Sequence, residues 1–285
     1  MKFENMQSSA KTTRTEQDRT PRLDPIAVRS GSLEVRLARS ETEIAAAQAL
    51  RYHVFYEEMN AQPTEAMQAL SRDFDDFDNI CDHLLVVDHN REGAEAVVGT
   101  YRLLRERVVD GEINRFYSAQ EYDITPLFSE YFRNTMAGKQ LLELGRSCVH
   151  PAYRSQHTIQ LLWRGIARYI EEHDIAYLFG CASLQGTNPE ELKLPLSYLY
   201  NECRVPDEFA VRARPELYQK MDFLAPDEVE TREARRALPP LVKGYLRLGC
   251  YIGDGAVVDE QFGTTDVFIL LPVDRIQQRY LGLFD

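Results

Sequence analysis

The stretch from Leu141 to Ala182 constrains the fold more than any other. Leu141-Leu142-Glu143-Leu144-Gly145-Arg146-Ser147-Cys148-Val149 is an apolar run of strand length, interrupted by one acid and one arginine. Thr158 to His173 follows with apolar residues at helical spacing, and Ile159, Leu162, Trp163, Ile166 and Ile170 share its apolar face. Ala176 to Ala182 is a second apolar strand. Strand, crossover helix and strand in this order predict a parallel βαβ unit, right-handed by rule.

The other elements can be read around this unit. Leu33-Glu34-Val35-Arg36-Leu37 alternates apolar and polar residues, as a half-buried strand does, and Ser40 with Glu43 forms a capping box. Ile44, Ala47, Val54 and Phe55 continue at helical spacing. His83 to Val87 and Ala96 to Leu104 flank the turn residues Asp88-His89-Asn90-Arg91-Glu92-Gly93, which predicts an antiparallel hairpin. Thr125 to Met136 reads as helix. Between about Gln185 and Ala237, five prolines (Pro189, Pro195, Pro206, Pro215 and Pro226) interrupt any long helix. We read this span as an insertion of short helices covering one side of the site. Leu241 to Leu248 resumes a helix, Gly253-Asp254-Gly255 reads as a turn, and Val267 to Leu271 as a last strand. Met1 to Ser30 is polar and aperiodic, which predicts a flexible tail. Residues 31–285 then form a single α/β domain, one mixed sheet flanked by helices, with the insertion at about 185–237.

Composition excludes several classes. A net charge of -12 argues against nucleic-acid binding, which needs a basic surface. The five cysteines are dispersed with no C-x-x-C pair, so neither a disulfide framework nor a zinc site is expected. No apolar run approaches the roughly 20 residues of a spanning helix, and Met1-Lys2-Phe3-Glu4-Asn5 does not open a signal peptide, so the expected location is the cytoplasm.

Chemistry concentrates near Glu143. Simple alternation puts Glu143 on one strand face with Gly145 and Ser147, and Arg146 on the other, unless a bulge rotates one of them. Glu143 can accept a proton from an attacking amine, or else form a structural ion pair with an arginine. The loop from His150 to His157 opens onto a helix N-terminus, where Arg154 and backbone N–H groups near Thr158 suit a phosphate. Arg154-Ser155-Gln156-His157-Thr158-Ile159 lacks glycine, which favours a single phosphodiester, as in phosphopantetheine on an acyl carrier protein, over free coenzyme A. Arg164 and Arg168 share a helix face and either meet an acidic carrier or are simply solvated. Arg51 falls on an apolar stripe and needs acidic partners, which Asp73-Phe74-Asp75-Asp76-Phe77-Asp78 offers to it and to Arg102. That acidic run lacks EF-hand spacing, so no metal is expected. Cys148 reads as a small buried hydrophobe, and no G-x-S-x-G elbow is present.

The segments Leu50-Arg51-Tyr52-His53-Val54-Phe55-Tyr56-Glu57-Glu58-Met59, Phe74-Asp75-Asp76-Phe77-Asp78, Cys81-Asp82-His83-Leu84-Leu85, Val98-Gly99-Thr100-Tyr101-Arg102-Leu103-Leu104 and Glu143-Leu144-Gly145-Arg146-Ser147 resemble the N-acyltransferases of the first step of ornithine lipid synthesis. Leu161-Leu162-Trp163-Arg164-Gly165-Ile166, Phe179-Gly180-Cys181-Ala182-Ser183 and Lys243-Gly244-Tyr245-Leu246-Arg247-Leu248-Gly249 extend the resemblance over about Leu33 to Tyr280. Acyl-homoserine lactone synthases are more distantly similar. Their motif residues fall onto Arg51, Phe55, Asp75, Asp78, Arg102, Glu143 and Arg146, but Gly145 stands where they often have serine or threonine, and they lack the long C-terminal region.

The resemblance implies a Gcn5-related N-acetyltransferase-like fold with a mixed, splayed sheet. It also implies transfer of a 3-hydroxyacyl group from acyl carrier protein to the α-amino group of ornithine, giving lyso-ornithine lipid. Glutamine or lysine as acceptor, lactone synthesis, and a non-enzymatic carrier-binding role are the alternatives. Glu143 and Arg146 are the expected catalytic residues, and Arg51, Phe55, Asp75, Asp78, Arg102, Ser147 and Cys148 the substrate-binding set. Arg154, Thr158, Arg164 and Arg168 are expected to serve the carrier. No cofactor is implied beyond the phosphopantetheine the donor brings. Backbone N–H groups near Cys148 to His150 are candidates for the oxyanion, and Trp163, Phe55, Phe179 and Tyr177 for the acyl channel. Asp75, Asp78, Glu57 or Lys243 could meet the acceptor's side chain. An amphipathic product makes peripheral contact with the inner membrane an expectation too.

Overall fold

Residues 26–109 and 111–276 are described by the computed structural model. The chain runs through β1 (Val28–Ser30), β2 (Leu33–Leu37), α1 (Glu41–Tyr52), α2 (Glu65–Leu70), β3 (Asp82–Asp88), β4 (Val97–Arg105) and the small hairpin β5 (Val108–Val109) and β6 (Glu112–Ile113). It continues through β7 (Tyr122–Asp123), α3 (Glu130–Thr135), β8 (Gln140–Val149), α4 (Gln156–Glu172) and β9 (Ile175–Gln185). Then come α5 (Lys193–Cys203), β10 (Arg212–Ala213), β11 (Tyr218–Gln219), α6 (Thr231–Ala237), α7 (Pro240–Leu248), β12 (Tyr251–Asp259) and β13 (Thr264–Pro272).

Strand alternation and helix faces account for the layering. On β3, Leu84 and Val86 turn one way and Leu85 and Val87 the other. The first pair packs with Val35 against Leu161, Leu162, Ile166 and Ile170 of α4, and the second against Ala46, Ala47 and Leu50 of α1. The sheet is thus covered by α4 on one face and α1 on the other. Gly165 sets the closeness of α4: a Cβ there would lie 2.6 Å from Val35 Cγ2 and 3.0 Å from Leu84 Cδ1.

The sheet order is β1-β2-β3-β4-β8-β9-β13-β12-β10-β7. The predicted hairpin is β3 with β4, antiparallel, and the predicted crossover unit is β8-α4-β9, parallel. That parallel pairing spans only Gln140–Glu143 against Ile175–Phe179. Beyond it, β8 stays paired with β4 and β9 with β13, so the sheet splits into a wedge. The expected mixed, splayed sheet is observed.

Four expectations change. Val28–Ser30, placed in the tail, pairs with β2, and Ile26 is buried, so order begins before residue 31. Residues 1–25 of that tail lie outside the described residues. Thr125 to Met136 is not one helix, because Ser129 is extended and caps the short α3 after a 3-10 turn at Thr125–Phe128. Gly253-Asp254-Gly255 is not a turn but part of β12, where the register shifts between Ile252 and Ala256. The span 185–237 holds the short helices α5 and α6, but it also contributes β10 and β11, which pair with β12.

Candidate active site

The site occupies the wedge. A cavity of about 710 Å³ is lined by Leu144 to Val149 from β8, Cys181 to Ser183 from β9, Phe55 and Glu58 from the π-helical turn after α1, Trp163 from α4 and Tyr245 from α7. At the point where the strands part, Gly180 has φ +155, and a Cβ on it would run into the carbonyl oxygen of Leu144. Glycine there lets the β9 backbone lean on β8 just before the two diverge.

Glu143 lines this cavity and is buried. Its Oε1 accepts from the Ser118 N–H at 2.6 Å and the Ser118 hydroxyl at 2.5 Å, and its Oε2 accepts from the Tyr117 N–H at 2.7 Å. These three donors replace the arginine of the ion-pair reading. A carboxylate has about four acceptor sites, so one is left for the cavity. Burial holds its pKa above the ordinary value, with the hydrogen bonds from Ser118 and Tyr117 opposing.

Arg146 is set by a bulge. The β4–β8 register jumps from Thr100↔Cys148 to Arg102↔Gly145, and Arg146 has φ 49. The rotation takes its side chain out of simple alternation and into the cavity wall. Its guanidinium carbon lies 4.7 Å from the Phe262 ring centroid and 5.1 Å from that of Tyr117. Asp73 lies 3.4 Å from its Nε and Asp75 3.5 Å from its Nη2.

The acidic run pairs with arginines as its composition suggested. Arg51, 0% exposed, donates from Nε to Asp73 at 2.7 Å and from Nη2 to Asp78 at 2.9 Å, and Arg102 Nη1 lies 2.5 Å from Asp75 Oδ1. Arg102 reaches the cavity wall, while Arg51, Asp75 and Asp78 stand behind it and hold the arginines in place. Phe55, Ser147 and Cys148 line the cavity. The Cys148 thiol is pushed up to about 12 by burial, as suits a packing residue.

The carrier set is less concentrated. Arg154 lines the cavity but is paired with Glu58 through Nη1 and Nη2, and its Nε donates to the Val149 carbonyl at 3.1 Å. Thr158 is buried, and its N–H is taken by Ser155 Oγ at 3.2 Å. Arg164 is half-buried and Arg168 exposed, both away from the cavity wall. One oxyanion expectation fails: the His150 N–H is given to the Val98 carbonyl at 2.9 Å. Of the four channel candidates, Phe55 and Trp163 line the cavity, whereas Phe179 and Tyr177 pack in the core behind it. Glu57 is exposed beside His53, and Lys243 Nζ donates to the Arg236 carbonyl at 2.8 Å, so neither faces the acceptor.

A family model described as an acetyltransferase (GNAT) domain matches residues 50–164. The chain is 52% identical over 258 residues to the L-ornithine N(alpha)-acyltransferase of Rhizobium meliloti (strain 1021), covering 90% of this chain and 85% of that protein. It is 50% identical to the protein of the same name from Brucella abortus (strain 2308), covering 90% of each. The chain belongs to the L-ornithine N(alpha)-acyltransferase family. It is an N-acyltransferase with the GNAT fold. Among solved structures, the acyl-homoserine lactone synthase LasI aligns at 12% identity with a TM-score of 0.43, covering 84% of this chain and 90% of that chain.

In this member of the L-ornithine N(alpha)-acyltransferase family, several cavity residues carried no signal in the sequence. Tyr117 and Ser118, which cradle Glu143, sit in an aperiodic stretch. Asp259, Phe262 and Asp266 come from the β12–β13 hairpin, far along the chain, and line the opposite wall. Asp266 accepts from the Thr264 hydroxyl at 2.9 Å, and burial raises its pKa to about 6. Glu121, which accepts from the Cys181 thiol at 3.2 Å, is raised by burial to about 7, with Asp266 adding repulsion. Among the described residues, no lysine or arginine forms an ion pair with Glu121, Asp259 or Asp266.

Proposed function

We propose that the protein transfers a 3-hydroxyacyl group from an acyl carrier protein to the α-amino group of L-ornithine, forming lyso-ornithine lipid. The observation that carries this reading is the wedge cavity itself, which gathers Glu143, Arg146 and an apolar wall between two parted strands. The relatives named for ornithine acylation support the acceptor.

The amine must be neutral to attack. Glu143, with one acceptor site free and a raised pKa, is suited to take the ammonium proton directly or through a water. The amine nitrogen then bonds the thioester carbon, the carbon–sulfur bond breaks, and the proton that the nitrogen sheds on becoming an amide goes to the departing thiolate of the carrier. Arg146 can hold the acceptor's carboxylate, while Asp266 and Asp259, which line the cavity, suit its distal ammonium. On its β9 side, β8 has no strand partner beyond Glu143, so its backbone edge suits an extended pantetheine arm. Phe55, Trp163 and Tyr245 give the acyl chain an apolar wall.

Purified protein with long-chain 3-hydroxyacyl carrier protein and ornithine should yield N-acylornithine by mass spectrometry, with much less product from glutamine or lysine and none from S-adenosylmethionine. Glu143→Gln should lower kcat by about 10²–10⁴-fold, with the thermal midpoint measured alongside to separate chemistry from folding. Carrier binding without acylation of any amino acid would overturn the reading.

A further inference from the structure

Next to the cavity lies a second concavity of about 840 Å³ between α6 and α7. Arg232, Arg235 and Arg236 of α6 and Lys243 and Arg247 of α7 line it, against two acids, Glu230 and Glu233. Four of these cations are exposed and Lys243 is half-buried. Among the described residues none of the five makes an ion pair, in a chain whose net charge is -12. Arg235 and Arg236 sit in the last turn of α6, where a positive charge favours the helix dipole. Arg247 holds the same position on α7, and Lys243 Nζ caps the Arg236 carbonyl at 2.8 Å, but none of these roles needs a carboxylate, so the groove keeps its positive charge and Arg232 has no such role in the fold.

The position of the groove is informative. Pro239, Pro240, Leu241 and Gly244, on the same two-helix segment, line the wedge cavity. Leu241 is 40% exposed, and Ile159, across the same cavity, is 49% exposed, so its rim is open and apolar where α7 meets α4. A macromolecule whose tethered thioester enters over this rim rests on α7 and meets the positive groove. By contrast, Arg154 at the other wall is neutralised by Glu58, and Arg164 keeps its Nε buried on α4.

We infer that the basic groove between α6 and α7 is the docking surface for an acidic acyl carrier protein, which delivers its acyl group across the Leu241 rim. This rests on the proposed function for the existence of a carrier, and it moves the expected carrier contact from Arg164 and Arg168 to the α6–α7 pair.

The test uses the full chain with two donors carrying the same 3-hydroxyacyl group, one on acyl carrier protein and one on pantetheine alone. Arg232→Glu, Arg236→Glu and Arg247→Glu, singly and combined, should raise KM for the carrier-bound donor by about tenfold or more in the combined variant. Their kcat, and all constants with the pantetheine thioester, should stay within about twofold of the parent. Added salt should raise the parent's carrier KM and leave the combined variant's nearly flat. Fluorescence anisotropy of labelled acyl carrier reads the same groove without turnover, so a failed acylation reading and a failed docking surface give different results. Unchanged carrier affinity in the combined variant would overturn the inference, as would equal losses with both donors. So would lost sedimentation with phosphatidylglycerol vesicles at unchanged carrier affinity, which would make the groove a membrane contact.

Discussion

Arg51 shows how one residue can organise a site it does not enter. A guanidinium at 0% exposure is tolerated because Asp73 and Asp78 meet it with good geometry. Arg51→Ala would leave Asp73 and Asp78 with only the longer arginine contacts, 3.4 Å to Arg146 and 3.7 Å to Arg102, and should cost about 3 kcal/mol in urea unfolding, with Arg51→Lys recovering only part because an ammonium cannot fork between both. This pairing was legible in the sequence, since a charge on an apolar stripe demands partners and the acidic run offered them. Arg146 was not, because its orientation depends on a bulge that alternation cannot predict. Asp266 was less legible still, as nothing local marks an acid at the start of an apolar strand. Its proposed task gives a specific expectation. Asp266→Asn should raise KM for ornithine by about tenfold or more while sparing kcat, as loss of a charge-assisted contact remote from the reacting amine would. Because Asp266 must ionise to attract an ammonium and titrates at about 6, the parent's KM for ornithine should fall as pH rises through that value. In Asp266→Asn that pH dependence should weaken. A KM unchanged by the substitution would remove Asp266 from acceptor recognition.

At the scale of elements, the crossover unit was readable because its strand and helix patterns are long and its connection rule is strict. The helical stripe Leu162, Ile166, Ile170 faces the sheet as its spacing requires, and Gly165 lies within that contact. Replacing Gly165 by valine would drive side-chain atoms into Val35 and Leu84, and a packed interface cannot absorb that volume. We expect about 1–3 kcal/mol of lost stability by denaturant titration, with no change in m-value if the native fold persists. Shorter elements misled for a physical reason. Gly253-Asp254-Gly255 has turn composition, yet the same conformational freedom serves a bulge: Gly255 has φ +84, and a Cβ there would strike the Tyr218 ring. Composition alone does not separate a chain that reverses from one that kinks within a strand.

For the whole molecule, the site joins residues more than a hundred positions apart, which explains why its far wall was invisible in sequence. Glu143 and Arg146 come from β8, while Asp259, Phe262 and Asp266 come from the closing hairpin, and only the sheet order brings them together. That union gathers carboxyls that, among the described residues, make no ion pair with an arginine or lysine, and the cost should appear in the stability of the free protein. Glu121 and Asp266 are raised above their ordinary values by burial, to about 7 and about 6. A folded state that holds its protons more tightly than the unfolded chain is favoured at low pH, and that advantage is lost as pH rises through the folded values. Buried His83 acts in the opposite sense, since burial lowers its pKa and the fold gains as pH rises toward the ordinary histidine value. The parent's own profile therefore mixes both signs, and the informative quantity is a difference. Thermal melts of the parent against a Glu121→Gln, Asp266→Asn double variant should show the variant gaining relative stability between about pH 4 and pH 7, on the order of 5 kcal/mol in total. Ornithine should narrow that gap at the alkaline end, because its ammonium supplies a cation beside Asp266 and Asp259 in the parent but finds only Asp259 in the variant. Parallel profiles with and without ornithine would mean that these carboxyls are neutralised by something other than the acceptor.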